Sequence, residues 1–158
     1  MSGPTQKYLD TLTLYYEEEV EGEAYFHALA ERLEDPEEKR KMRMVGDVET
    51  YAYTAVAPLL KKYNLTPRPH AELQSAARAS GHEAEGDYLH FIRKWQVEFP
   101  GYIDDFEGLE AMAPPEDVPL LKTLTDHEHA AIAFIEKELA GAPDSTAPME
   151  YYLKTGKA

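Results

Sequence analysis

Apolar residues recur at intervals of three and four along most of the chain, which is the spacing of amphipathic α-helices. Proline, glycine and capping residues separate four long stretches with this pattern. They predict three long helices over 7–33, 35–63 and 86–112. A fourth is predicted to follow the proline and acidic residues at 113–117, which are typical of a helix start, and to end at 139. A shorter helix or crossover is predicted at 71–79, ended by Ser80-Gly81, and no strand pattern competes. The pattern therefore predicts an all-α fold, a four-helix bundle of two helical hairpins joined by a crossover.

Prolines and the carboxyl end modify this picture. Pro58 is expected to bend the second helix, and Pro100-Gly101 to break or kink the third. Residues 1–141 are predicted to form the helical domain. Residues 142–158 are predicted to be a loose C-terminal tail, with Tyr151, Tyr152 and Leu153 as candidates for docking on the body.

The two halves of the chain match when they are shifted by 79 residues, without a gap. The Pro36-Glu37 helix start falls on Pro115-Glu116, and the apolar stripe that follows it is repeated. Two pairs of glutamates also coincide: Glu19 with Glu98, and Glu49 with Glu128. The match supports two related helical hairpins.

One glutamate interrupts the apolar face of each long helix, and Glu23 adds a second to the first helix. In the second helix, for example, Glu49 lies in the middle of the stripe Met42, Val45, Ala52, Val56. The four inward glutamates are Glu19, Glu49, Glu98 and Glu128.

Buried carboxylates are costly unless they are paired, protonated or bound to metal, and no Lys or Arg interrupts these stripes. Four carboxylates at one height would balance two divalent cations. Oxygen ligands suit hard ions such as iron, manganese or magnesium. The alternative is that the phases are accidental, because the chain has 30 acidic residues and a glutamate can lean out to water.

The segment EVEGEAYFHALAERLEDPEEK, residues 19–39, resembles the first helix of the rubrerythrin-like branch of the ferritin-like superfamily. The resemblance implies a ferritin-like four-helix domain. In that family each half supplies a ligand Glu and a Glu-x-x-His motif to a di-iron centre. Carried over by position, the ligands are Glu19, Glu49, Glu98 and Glu128, with iron or manganese as the implied metal. The implied activity is that of an oxidoreductase acting on dioxygen or peroxide.

The chain departs from the family pattern where the histidines belong. Both Glu-x-x-His motifs are Glu-x-x-Ala, with Ala52 and Ala131 in place of the imidazoles. Two hypotheses stay open: a di-metal carboxylate protein with a degenerate site, and a metal-free helical binding or assembly module. Glu23 and His127 are reserve ligands. The alternative for each is a structural role. Glu23 would be a carboxylate at the edge of the bundle, and His127 would lie on the flank of its helix with a satisfied hydrogen bond.

Composition narrows the remaining function classes. The net charge of −14 argues against nucleic acid and anionic membranes as partners. The absence of cysteine excludes disulfides, iron–sulfur clusters and thiol nucleophiles, and no motif indicates an organic cofactor. With no signal pattern and no long apolar run, a cytoplasmic protein is expected. The resemblance implies a homo-oligomer such as a dimer, with Tyr8, Tyr15, Tyr25 and the tail tyrosines as a candidate interface.

Overall fold

A computed structural model describes residues 3–158 and confirms an all-α fold, with no strand in that range. One 3-10 turn, Pro115–Asp117, precedes the fifth helix. The helices are α1 Gln6–Arg32, α2 Pro36–Lys62, α3 His70–Glu83, α4 Tyr88–Met112, α5 Val118–Leu139 and α6 Ala147–Thr155. None of these helices is both long enough and apolar enough to cross a membrane.

Side-chain caps fix where three helices begin. The side chain of Asp35 accepts a hydrogen bond from the backbone N–H of Glu38 at 2.9 Å, as its position before Pro36 predicts. Thr5 and Asp87 cap α1 and α4 in the same way. Pro100 does not break α4, which is helical throughout, so the break is wrong and the kink stays a prediction. α2 also continues through Pro58, and the bend expected there stays a prediction.

The prediction that the short helix ends at Ser80-Gly81 is also wrong, because α3 extends to Glu83. Gly81 serves a packing role instead. A Cβ atom there would lie 2.6 Å from the carbonyl oxygen of Tyr25 and 2.7 Å from the Cβ of Ala28. Glycine at this position therefore permits the close approach of α3 to α1.

The long helices contact one another as two hairpins, α1 with α2 and α4 with α5. The hairpins meet mainly through α2 and α5, and α1 contacts α4 sparsely. α3 packs along α1, and α6 packs against α5 and α2. Adding 79 to the bounds of α1 and α2 gives 85–111 and 115–141, close to those of α4 and α5. The repeat in the sequence thus corresponds to the two hairpins.

The segment predicted as a loose tail is ordered and contributes to the core. It forms α6, in which Met149 and Tyr152 are fully buried. The Tyr152 hydroxyl donates a hydrogen bond to the backbone carbonyl of Thr123 in α5 at 2.8 Å. Tyr152 therefore docks on the body as one alternative predicted, whereas Tyr151 is exposed.

A buried carboxylate ties together the ends of three helices. Asp117, at the start of α5, accepts hydrogen bonds from the hydroxyls of Tyr8 in α1 at 2.9 Å and Tyr63 at 2.5 Å. Lys62, the last residue of α2, donates to the other oxygen of Asp117 at 2.6 Å. Tyr8 is fully buried, so its predicted place on an interface is wrong: its hydroxyl is used inside the fold.

Candidate metal centre

Three carboxylates and one imidazole meet between α1, α2 and α5. Nε2 of His127 lies 2.8 Å from Oε2 of Glu19 and 3.0 Å from Oε2 of Glu49. Oε2 of Glu128 is 3.5 Å from the same nitrogen. His127 is 1% exposed, and the side chains of Glu19, Glu49 and Glu128 are 8%, 13% and 6% exposed. The structure thus brings together three of the four predicted glutamates and one reserve ligand.

The packing of α5 explains why two adjacent residues of this helix both point into the cluster. His127 and Glu128 are adjacent, so they project about 100° apart around the helix axis. α5 contacts α2, α4 and α6, and this surrounds it on more sides than a helix at the edge of a bundle. Its buried face is therefore wide enough to turn both side chains inward. Sequence periodicity centred that face on Glu128 and left His127 on its flank.

A backbone carbonyl fixes the orientation of the histidine. Nδ1 of His127 contacts the carbonyl oxygen of Leu124, one turn earlier in α5. A carbonyl only accepts hydrogen bonds, so Nδ1 carries the proton. Without metal, a protonated Nε2 faces the carboxylate oxygens of Glu19 and Glu49. A bound cation would displace that proton and receive the lone pair of Nε2. Most metal-binding histidines are held this way, with the second ring nitrogen donating to a carbonyl or carboxylate.

Four buried polar atoms of the cluster lack a partner in hydrogen-bond geometry. Oε2 of Glu19 and Oε2 of Glu49 lie at ion-pair distance from Nε2 of His127 but not in that geometry. Oε1 of Glu128 has no hydrogen-bond partner. Among residues 3–158, no lysine or arginine forms an ion pair with these three carboxylates. Unsatisfied buried polar atoms are rare in proteins, and an ion that binds them removes their cost. The donor set therefore fits a cation.

The ionisation of the cluster shows the same excess of negative charge. Burial lowers the pKa of His127, but the charges of Glu19 and Glu128 and the Leu124 carbonyl raise it to about 9. Burial raises the pKa of Glu128 to about 8, with the imidazolium opposing and Glu19 adding to the shift. Below pH 8 Glu128 carries a proton, so the imidazolium faces the carboxylates of Glu19 and Glu49, and the cluster keeps an excess of negative charge. A divalent cation that displaces the proton from Nε2 supplies the missing positive charge.

Ligand spacing is compatible with a single ion. One ligand atom each from Glu19, Glu49 and His127 can be chosen so that all three lie within 4.8 Å of one another. Metal–ligand bonds of about 2.0–2.2 Å place the ligands of one ion within this separation. A mixed set of carboxylate oxygens and one imidazole nitrogen suits iron and manganese.

Glu98 does not join the buried cluster. Its side chain is 45% exposed, and its carboxylate lies 3.9 Å from Nζ of Lys94 one turn earlier. Tyr102, one turn further along α4, is also exposed. Phe99 is the buried residue of this turn, so the prediction that Glu98 points into the core is wrong. The reason is the sparse contact between α1 and α4, which leaves α4 open to solvent at this height.

A pocket of about 370 Å³ lies in this gap between α1 and α4. Glu19, Glu49 and Glu128 line it together with Glu98, so the cluster is accessible from this side. Aromatic side chains form most of the remaining wall: Tyr25, Phe26, Trp95, Phe99, Tyr102 and Phe106. Burial raises the pKa of the Tyr102 hydroxyl, and the charges of Glu128, Glu98, Glu18 and Asp105 raise it further.

The other candidate residues are accounted for outside the cluster. The carboxylate of Glu23 accepts hydrogen bonds from the Tyr53 hydroxyl and from the side-chain amide of Gln74, both at 2.9 Å. Thr50 is a third donor to it. Glu23 therefore links α1 to α2 and α3 and lies outside the group of Glu19, Glu49 and His127. Ala52 and Ala131 are buried among apolar residues.

Comparisons of this chain with protein-family models, with curated proteins and with solved structures gave no match.

Proposed function

We propose that the chain is a ferritin-like carboxylate protein that binds one or two iron or manganese ions and acts as an oxidoreductase on dioxygen or peroxide. The observation that carries the proposal is the buried group of Glu19, Glu49 and Glu128 around Nε2 of His127, in which no lysine or arginine of residues 3–158 pairs with the carboxylates and Oε1 of Glu128 has no hydrogen-bond partner. The ferritin-like assignment is supported by the resemblance of residues 19–39 and by the two hairpins related by 79 residues.

His127 takes the part that the two missing histidines of the Glu-x-x-His motifs play in the family. Glu19, Glu49, Glu128 and His127 would hold an ion in the buried cluster, and Glu98 offers a further carboxylate at the mouth of the pocket. Bound iron or manganese supplies electron transfer to dioxygen or peroxide.

The residues around the cluster each have a defined task in this proposal. Leu124 holds the tautomer of His127 through its carbonyl, and Tyr152 and Phe106 pack beside the imidazole. Phe106 also lines the pocket, whereas Tyr152 is fully buried outside it and shields the imidazole from water. Small oxidants reach the cluster through the gap between α1 and α4.

The test is metal analysis and thermal unfolding of protein purified without chelator. We expect iron or manganese in the purified protein at up to two equivalents. Added Mn²⁺ should raise the melting temperature of the metal-free protein, because it binds only the folded state. A free Mn²⁺ concentration 100 times its Kd would raise the free energy of unfolding by about 2.7 kcal/mol. Glu128→Gln should abolish this rise, and Glu136→Gln, an exposed glutamate of the same helix, should retain it.

A second candidate function, a metal-free helical binding or assembly module, is favoured by one contact. The ion pairs from His127 to Glu19 and Glu49 partly compensate the buried charge without metal. In that case Glu49→Gln and Glu128→Gln should stabilise the protein by removing excess buried charge. Stabilisation by both variants, with no metal bound and no response to Mn²⁺, would contradict the metal-binding proposal.

Gly22→Ala tests whether the position of Glu49 matters for metal binding. A Cβ at Gly22 would lie 3.0 Å from Oε1 of Glu49, so alanine should displace that carboxylate. We expect Mn²⁺ affinity to fall about 10–100-fold, as when a residue that orients a ligand is lost. Isothermal titration calorimetry measures this change.

The matched control is Gly101→Ala, the equivalent position in the repeat. A Cβ there has no neighbour within 4 Å. Alanine should stabilise α4 by about 0.5–1 kcal/mol through helix propensity and leave Mn²⁺ affinity unchanged. Equal affinities in both variants would show that the placement of Glu49 does not govern binding.

A further inference from the structure

We infer that the pocket between α1 and α4 binds small organic cations, an ammonium group on a short apolar body, beside the carboxylate–histidine cluster. As the substrate class of the oxidoreductase, this assignment rests on the proposed function. As a binding property of the pocket, it can be measured independently of metal.

The walls of the pocket favour an organic cation over a hydrated ion. Six aromatic side chains line it, and Trp95 and Phe99 stack with ring centroids 5.4 Å apart and an interplanar angle of 11°. Phe26 meets Trp95 edge to face at 5.0 Å. Trp95 is only 3% exposed, so these packed rings form an apolar wall that can bury the carbon groups of a ligand. Tyr102, which is 42% exposed and also lines the pocket, is the ring accessible to an ammonium group.

The charges of the pocket select a cation. Five carboxylates line it, from Glu18, Glu19, Glu49, Glu98 and Glu128, and Lys94 is the single basic residue of the lining. Lys94 is paired with Glu98 at 3.9 Å. A metal ion at the cluster would neutralise part of the negative charge deep in the pocket, but no basic residue of the lining would pair with Glu18. The electrostatic potential at the mouth of the pocket therefore repels anions in both the metal-free and the metal-bound protein.

The floor of the pocket contains a polar group that points to a ligand. Glu128 is 5% exposed and lines the pocket, and its Oε1 has no hydrogen-bond partner. The volume of about 370 Å³ lies at the lower end of the range for small-molecule sites, about 300–1,000 Å³. It accommodates a short amine or quaternary ammonium compound.

The experiment uses choline and its uncharged isostere 3,3-dimethylbutan-1-ol, which differ in one atom, nitrogen against carbon. Trp95 is the single tryptophan of the chain, so intrinsic tryptophan fluorescence reports directly on this pocket. At constant ionic strength, choline should change the emission saturably, with a Kd at least about 10-fold lower than that of the alcohol. A difference of this size corresponds to about 1.4 kcal/mol.

Two variants test whether the pocket carboxylates select the charge. Glu18→Gln should raise the Kd for choline about 3-fold to 10-fold and leave the Kd for the alcohol unchanged. Glu136→Gln, on the exposed face of α5, should change neither. Equal binding of choline and the alcohol, no saturable response to choline, or no effect of Glu18→Gln would overturn the inference.

Failure of the inference and failure of the proposed function have different signatures. Mn²⁺ binding followed by melting temperature tests the metal centre, and choline binding followed by Trp95 emission tests the pocket. Selective choline binding in protein that takes up no metal would support the pocket and remove its role as the substrate site of an oxidoreductase. Metal binding without selective binding of choline would support the metal centre and overturn the assignment of the pocket.

Discussion

Replacing His127 with leucine is expected to abolish high-affinity Mn²⁺ binding and to destabilise the metal-free protein by about 3–5 kcal/mol. The imidazole supplies the single nitrogen donor of the cluster and is the only cationic partner that the structure gives Glu19, Glu49 and Glu128. Without it, three buried carboxylates repel one another. The loss of affinity should exceed the roughly 10–100-fold that follows when a supporting residue is removed. Calorimetry and urea unfolding measure the two effects.

His129→Leu is the matched control, because His129 is exposed two residues further along the same helix. It should leave both Mn²⁺ affinity and the free energy of unfolding nearly unchanged. The pKa of His127 is raised to about 9, so its contribution is fully present below its unfolded pKa of about 6.5 and is lost as pH rises through the folded value. The destabilisation by His127→Leu should therefore be larger at pH 6 than at pH 9. Full retention of Mn²⁺ affinity by His127→Leu would contradict the proposed ligand set.

Replacing Asp117 with alanine is expected to lower stability by about 1.5–3 kcal/mol, the cost of losing buried hydrogen bonds to a charged acceptor. The substitution leaves the fully buried Tyr8 hydroxyl and the Tyr63 hydroxyl without their acceptor and removes the ionic partner of the half-exposed Lys62. For a chain of this length, the melting temperature should fall by about 3–12 °C. Glu116→Ala removes an exposed carboxylate 3.8 Å from the same Lys62 and should cost less than about 1 kcal/mol.

The effect of Asp117 should depend on pH in a defined direction. Burial alone would raise its pKa, but hydrogen bonds from Lys62, Tyr63 and Tyr8 hold the pKa below its usual range. A carboxyl with a lowered pKa stabilises the fold above its unfolded pKa of about 3.9 and loses that contribution as pH falls through the folded value. The difference in unfolding free energy between wild type and Asp117→Ala should therefore narrow below about pH 4. A difference that stays constant down to pH 2 would contradict this account.

Local patterns were sufficient to predict the helices but not every neighbour across the fold. Asp35 before Pro36 marked the start of α2, and the inward phases of Glu19, Glu49 and Glu128 followed from helical periodicity. The burial of His127 did not follow, because it depends on how many helices surround α5. The sequence feature that could have indicated its burial is its position at the border of an apolar face, next to the inward Glu128.

The assignments that fail are those that depend on contacts between distant segments. Glu98 has the right phase on its helix, but the gap between α1 and α4 keeps it at the surface. Tyr8 looked like a surface aromatic because its acceptor, Asp117, is 109 residues away. Residues 142–158 have too short an apolar pattern to predict α6, whose Tyr152 is buried by packing on α5.

The two hairpins differ at one pair of matched positions. Glu19 lies in the interior, whereas Glu98, its counterpart 79 residues later, lies at the surface beside the opening. Equivalent positions of the repeat thus lie at opposite ends of the pocket. Substitutions at the exposed positions of α4, such as Glu98 and Tyr102, can alter what enters the pocket without removing core contacts, which makes this face of the helix the natural place to redesign selectivity.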